Sequence, residues 1–283
     1  MSYRLEEHDD AVLLLPEQPA SACVIWLHGL GADGHDFVPI VPELRLPQTL
    51  SVRFVFPHAP FRAVTINNGM RMRAWYDILE LSLGRAEDAS GIRDSAARVE
   101  ALIARETTQG IAARRIVLAG FSQGGAIALQ AGLRHGEALA GVLALSTYLP
   151  LQSSLAAEAT AVNRATPILM CHGRFDPVLP VQLGQLSRDA LRALGYEVQW
   201  REYPMQHQVC AEVTRYAHWP VQAITYRIGK DQILALRKRA QAQLGAQFSA
   251  KQFHLAFMRQ GTIPVGYFAE DLLAGLAAGA GAH

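Results

Sequence analysis

A serine lies between glycine-flanked spacers at Gly120-Phe121-Ser122-Gln123-Gly124, directly after the apolar run Ile116-Val117-Leu118-Ala119. In this G-x-S-x-G pattern a strand enters a turn too tight for side chains at the glycines and leaves as a helix. The serine hydroxyl is thereby pushed out at strained dihedrals. The spacing predicts Ser122 as a nucleophile, followed by a helix over 126–132. A Gly/Ser turn alone is more often only a turn, so the strand before it and the helix after it carry the chemical reading.

A serine hydroxyl attacks poorly until an imidazole takes its proton and a carboxylate fixes that imidazole's tautomer. In a strand-turn-helix hydrolase the three groups follow in the order serine, acid, histidine. The apolar run Ile168-Leu169-Met170-Cys171 leads into a loop carrying Asp176. Alternation of Tyr196, Val198 and Trp200 with polar residues predicts a strand ending near Tyr203, followed by a loop carrying His207. The plainer alternatives are a turn-opening carboxylate in Asp176-Pro177 and a solvated loop histidine at 207. His28, His58 and His172 also follow strand-like runs, but chain order disfavours each as the base, and they are expected to be structural.

An acyl-transfer site needs backbone donors for a tetrahedral oxyanion, normally the amide after the nucleophile and one from an early strand-end loop. Ala22 to Leu27 reads as a strand running into His28-Gly29-Leu30-Gly31-Ala32-Asp33-Gly34, so Leu30 and Gln123 are the candidate oxyanion donors. Neither G-x-x-x-x-G-K-[ST] nor G-x-G-x-x-G occurs there, which argues against a phosphate cradle. The stretch from Phe61 to Glu80, with Met70, Met72, Trp75 and Tyr76, shows no clear period. It reads as a covering loop, either lining the site or simply packed. Ser146 to Pro150, after the strand Val142–Leu145, should border the same crevice.

The 283 residues are 50% hydrophobic and 18% charged with a formal net charge of +1, so no charge imbalance points to nucleic acid. Mean hydropathy is +0.10. The first ten residues lack an apolar leader core, and no run approaches the ~18 apolar residues of a membrane span. A cytoplasmic enzyme is the expectation. Cys23 and Cys171 fall on predicted buried strands and Cys210 on a loop, so a disulfide framework is not expected. Without H-E-x-x-H or paired C-x-x-C motifs, neither a metal nor a cofactor is expected. The expected partner is a small acyl ester or thioester substrate, and a homodimer is left open.

Several blocks of the chain resemble the carboxylesterases and acyl-protein thioesterases of the α/β-hydrolase superfamily. They are Leu27 to Gly34, Pro57-His58-Ala59-Pro60, Ala74-Trp75-Tyr76-Asp77, Gly120 to Ala126, Leu145 to Pro150, His172 to Asp176 and Tyr203 to His207. The resemblance covers about residues 1–211. It implies an α/β fold with a mostly parallel central sheet flanked by helices, Ser122, Asp176 and His207 as a triad, the Leu30 and Gln123 amides as an oxyanion hole, and hydrolysis of carboxylic esters or thioesters. Gln206 departs from the glycine that many members carry before the histidine, which touches that loop's backbone angles.

After Cys210-Ala211 the text changes, and all three lysines, Lys230, Lys238 and Lys251, fall in this last part. Residues 212–277 resemble the C-terminal helical segment of an uncharacterised family of zincin-like predicted metallopeptidases. That family's zinc motif is lacking, so no peptidase activity is implied. The domains expected are therefore a hydrolase over 1–211 and a helical C-terminal extension over 212–283. Within the extension, Pro220 opens an amphipathic segment with Ile224, Ile228, Ile233 and Leu236, stopped by Gly245. Ser249 caps a helix with Phe253, Phe257 and Met258, and Pro264 starts another with Phe268, Leu272 and Leu276. The resembled hydrolases close with a helix after the histidine loop. Here the extension's first helix is expected to replace it in part. The competing expectation is a catalytically impaired fusion whose tail is an interaction or structural module.

Overall fold

The structure, a computed structural model, describes residues 3–44, 46–47, 49–79, 86–204, 236–258, 269 and 272–276. It divides into two compact units, residues 1–214 and 215–283. The first unit is built on an eight-stranded sheet in the order β1-β2-β4-β3-β7-β8-β9-β10. Its strands are β1 (Tyr3–Glu7), β2 (Ala11–Pro16), β3 (Ala22–Leu27), β4 (Val52–Pro57), β7 (Ile116–Phe121), β8 (Gly141–Leu145), β9 (Ile168–Gly173) and β10 (Val198–Tyr203). The β1–β2 and β2–β4 pairs are antiparallel, and every pair from β4 to β10 is parallel. Parallel strands of this kind are covered on both faces, which explains the unbroken apolar runs of β3 and β7.

Side chains alternate between two cores. One face of the sheet, with Ile25, Leu27, Ile116, Leu118, Val142, Ala144, Ile168 and Met170, packs with residues of α1 (Ala89–Thr108) and α2 (Gln123–Gly132), among them Ile92, Val99, Ile127 and Leu129. The other face carries Trp26, Phe54, Phe56, Ala119 and Leu145, which join Phe37, Ile40 and Val41 from the short 3-10 stretch Val38–Leu44 and its approach. Two further helices, α3 (Gln152–Glu158) and α4 (Val181–Ala193), complete the layer, and Leu155 and Leu191 are fully buried.

Two local expectations change. Helix α2 begins at Gln123 rather than 126, because Gly124 and Gly125, which read as turn residues, lie inside its first turn. The stretch after Phe61 is not one irregular loop: β5 (Phe61–Val64) and β6 (Met70–Arg73) form an antiparallel hairpin. Most of its side chains are exposed or half-buried, so it has no alternating apolar face to be read as strand.

In the second unit, residues 236–244 are helical, Gly245 turns to φ +51°, and α5 (Ala250–Met258) follows. Ser249 Oγ accepts from the Gln252 amide at 3.4 Å, and Leu236, Ala240, Phe253, Leu272 and Leu273 form a small core. Pro220, Ile224, Ile228, Ile233, Pro264 and Phe268 lie outside the described residues, as does the replacement of a closing helix.

Candidate active site

Parallel strands deliver their carboxyl ends to one edge of a sheet, where open α/β folds bind ligands. β7 ends one residue before Ser122, which caps α2 at φ +53°, ψ −120°. Non-glycine residues at positive φ are strained and persist only where the surroundings impose the angle. Here close backbone contact imposes it. A Cβ on Gly120 would lie 2.2 Å from the Gly124 carbonyl oxygen, and one on Gly124 would lie 2.3 Å from the Leu27 oxygen and 2.5 Å from that of His28. The Ser122 amide donates to the Leu145 carbonyl at 2.9 Å, while its own carbonyl accepts from Thr147 Oγ1 at 2.7 Å.

Gly29, Leu30, Ser122 and Gln123 line one cavity of about 250 Å³, together with Tyr76, Phe121, Tyr148, Val178 and Leu179. Gln123 is the first residue of α2, so its amide is one of the helix's orphan donors. Among the described residues neither the Leu30 nor the Gln123 amide has an acceptor. Two donors from β3 and β7 loops therefore share a cavity with the serine.

Asp176 stands on the loop after β9 and is 6% exposed. Its Oδ1 accepts from the Val178 and Leu179 amides at 2.9 and 2.8 Å, and its Oδ2 lies 3.7 Å from His172 Nε2. His207 lies outside the described residues. Ser122, Leu30 and Gln123 are thus together on one cavity wall, and Asp176 is held on a loop whose Val178 and Leu179 border it.

The histidines expected to be structural are buried or clamped. His28 Nδ1 donates to the Gly29 carbonyl at 2.7 Å and its Nε2 accepts from the Ala59 amide at 3.0 Å, which fixes the tautomer. Burial, ahead of all other influences, lowers its pKa to about 4, so the ring is neutral at pH 7. His58 Nδ1 accepts from the Gly34 amide at 3.0 Å, and its pKa is lowered by burial first and then by Arg73. His172 is 1% exposed and its Nε2 contacts the Leu179 carbonyl at 2.8 Å. What the sequence hid is Trp75. This residue is 1% exposed, receives the Gln123 carboxamide oxygen on its amide at 3.0 Å, and donates its indole N–H to the His28 carbonyl at 2.9 Å.

A strained serine at a strand-to-helix turn, beside amides without an acceptor among the described residues, at the carboxyl edge of a parallel sheet, defines an α/β-hydrolase. Residues 8–218 match the family described as phospholipase/carboxylesterase, and the chain belongs to it. It is 44% identical over 201 residues to acyl-protein thioesterase 1 of Gibberella zeae, spanning 68% of this chain and 86% of that one. To acyl-protein thioesterase 1 of Yarrowia lipolytica it is 38% identical over 215 residues, 74% and 95% of the two chains. The crystal structure of acyl-protein thioesterase 2 from Zea mays superposes with a TM-score of 0.63 at 28% identity, covering 74% of this chain and 100% of that one. Residues 192–272 match a second family, described as a bacterial protein of unknown function. The protein is accordingly a hydrolase of the kind that acts on esters or thioesters, with a helical C-terminal region. Among the described residues no helix is long and apolar enough to cross a membrane, and no group of three or more His, Cys, Asp or Glu could hold a metal.

Two outcomes follow from this geometry. Gly124→Ala forces a Cβ onto the Leu27 and His28 carbonyls and should cost about 1–3 kcal/mol or more. Gly136→Ala, where an added Cβ meets nothing within 4 Å, should leave the urea midpoint nearly unchanged. His28 should show no titration by NMR between pH 8 and 5. Its folded pKa of about 4 lies below the unfolded value, so the unfolded chain gains a proton first as pH falls through 6.5. This one group then withdraws about 3 kcal/mol of stability by pH 4.

Proposed function

We propose that the protein hydrolyses carboxylic esters or thioesters through an acyl-enzyme formed on Ser122, with His207 as base and Asp176 as its orienting acid. The observation that carries this reading is the positive-φ serine on a cavity it shares with Leu30 and Gln123, whose amides have no acceptor among the described residues. Ser122 Oγ attacks the acyl carbon while His207 takes its proton. The oxygen that becomes negative receives the Leu30 and Gln123 N–H groups, and collapse expels an alkoxide or thiolate that His207 protonates. Water then enters, gives its proton to His207 and attacks the acyl carbon; the acid leaves as its bond to Ser122 Oγ breaks, and Oγ takes the proton back from His207. Asp176 suits its role because amides of its own loop hold one carboxylate oxygen, so the group has one orientation.

Apolar walls at Phe121, Ile78, Val178 and Leu179 suit the acyl chain. Asp36 on the same wall disfavours acyl groups ending in a carboxylate.

Fluorophosphonate labelling of the full chain tests the nucleophile. Wild type should label and Ser122→Ala should not. Asp176→Asn should lower kcat on p-nitrophenyl acetate by about 10³–10⁴-fold with little change in KM. A series of p-nitrophenyl esters should lose kcat/KM once the chain outgrows the cavity. Soluble, folded wild type that does not label overturns the proposal in favour of an impaired fusion.

A further inference from the structure

Leu30 and Gln123 stand on loops from different strands, and a hydrogen-bond donor contributes to catalysis only if it meets the oxyanion at the right distance. A third piece of chain, residues 73–76, continues from the end of β6, lines the cavity with Tyr76 and is bonded to both loops. It grips the β3 loop twice. The Gly31 amide donates to the Arg73 carbonyl at 2.9 Å, and the Trp75 indole donates to the His28 carbonyl at 2.9 Å. It grips the start of α2 twice as well. The Trp75 amide donates to Gln123 Oε1 at 3.0 Å, and Gln123 Nε2 donates to the Tyr76 carbonyl at 2.8 Å.

We infer that residues 73–76 act as a strap that fixes the separation of the two oxyanion donors, with Trp75 and the Gln123 carboxamide as its positioning residues. The strap is itself anchored. Ser95 of α1 donates to the Trp75 carbonyl, the Ala74 amide donates to Pro60 at 3.0 Å, and Arg73 Nη1 donates to the Ala59 carbonyl at 2.9 Å. Ala59 in turn donates to the neutral His28 ring, which closes a circuit around the β3 loop. Trp75 is 1% and Gln123 2% exposed, so no water replaces a broken link without entering a dry site. The Gln123 side chain therefore does for its own backbone what a second shell of contacts does for a metal ligand: it fixes where the donor points.

This inference rests on the oxyanion role proposed for Leu30 and Gln123, and the test separates the two. Gln123→Met keeps the side chain's length and the backbone amide but removes both links to the strap, and Trp75→Phe keeps a buried ring without its N–H. Amide hydrogen exchange of Gly31, which neither side chain touches, should accelerate at least about tenfold in both variants. On p-nitrophenyl acetate kcat should fall about 10- to 100-fold with KM within about twofold, since a misplacement near 1 Å costs about that much. A packing role alone lowers the melting temperature and leaves both kcat of the folded enzyme and Gly31 exchange unchanged, which overturns the strap. Faster Gly31 exchange with kcat unchanged also overturns it. Absence of Ser122 labelling in wild type defeats the proposed nucleophile instead, and Gly31 exchange then decides the strap by itself.

Discussion

At the foot of the Ser122 turn, main chain meets main chain. Gly120 and Gly124 bring the end of β7 and the first turn of α2 against each other, and Gly124 also seats that turn on the Leu27 and His28 carbonyls of β3. Side chains at either glycine would push these backbones apart by more than the site tolerates. The close contact has three consequences at once. It holds Ser122 at a positive φ, it aims the Gln123 amide out of the helix into the cavity, and it fixes the β7–α2 joint against the loop bearing Leu30. Strain at the serine persists because Leu145 and Thr147 from the neighbouring strand's end also bind its backbone.

Around that joint the side chains of His28, Trp75 and Gln123 bond to neighbouring backbone groups. His28 illustrates the logic: burial makes the ring neutral, and neutrality lets one nitrogen donate while the other accepts. A protonated ring would have two donors and no acceptor for Ala59. Desolvation thus does structural work at a histidine whose place in the chain resembles that of a catalytic group.

Much of this was legible in the residues. The glycine spacing around Ser122 has a steric meaning that needs no tertiary information, and the apolar runs of β3, β7, β8 and β9 are long enough to declare buried parallel strands. The start of α2 was misread by three residues because glycines that open a turn in isolation are tolerated in a helix pressed against a sheet. The β5–β6 hairpin was missed because its faces are wet and carry no period. Trp75 was visible as an aromatic residue in an aperiodic stretch and in the block Ala74-Trp75-Tyr76-Asp77, but its role was not. Its partners, His28 and Gln123, lie 47 and 48 positions away on either side, and no local pattern encodes a pairing of that range.

The described part of the site also divides along the chain. Ser122, Leu30, Gln123 and every residue that ties them together precede position 150, and Asp176 follows on a loop held by its own amides. β10, Val198–Tyr203, pairs with β9 across its whole length, so the last strand of the described sheet is placed before the region where the two family matches overlap, 192–218, gives way to the second alone. A change of sequence after residue 211 therefore lies outside the elements that carry the proposed nucleophile, Ser122, and the proposed oxyanion donors, Leu30 and Gln123. The burden of the unusual C-terminal region falls on one proposed group, the base at 207. In the proposed mechanism, stabilisation of the transition-state charge and supply of the proton acceptor thus fall to different parts of the chain, and the oxyanion hole and substrate binding together retain about 10³–10⁴-fold catalysis over water in a hydrolase whose triad is disabled.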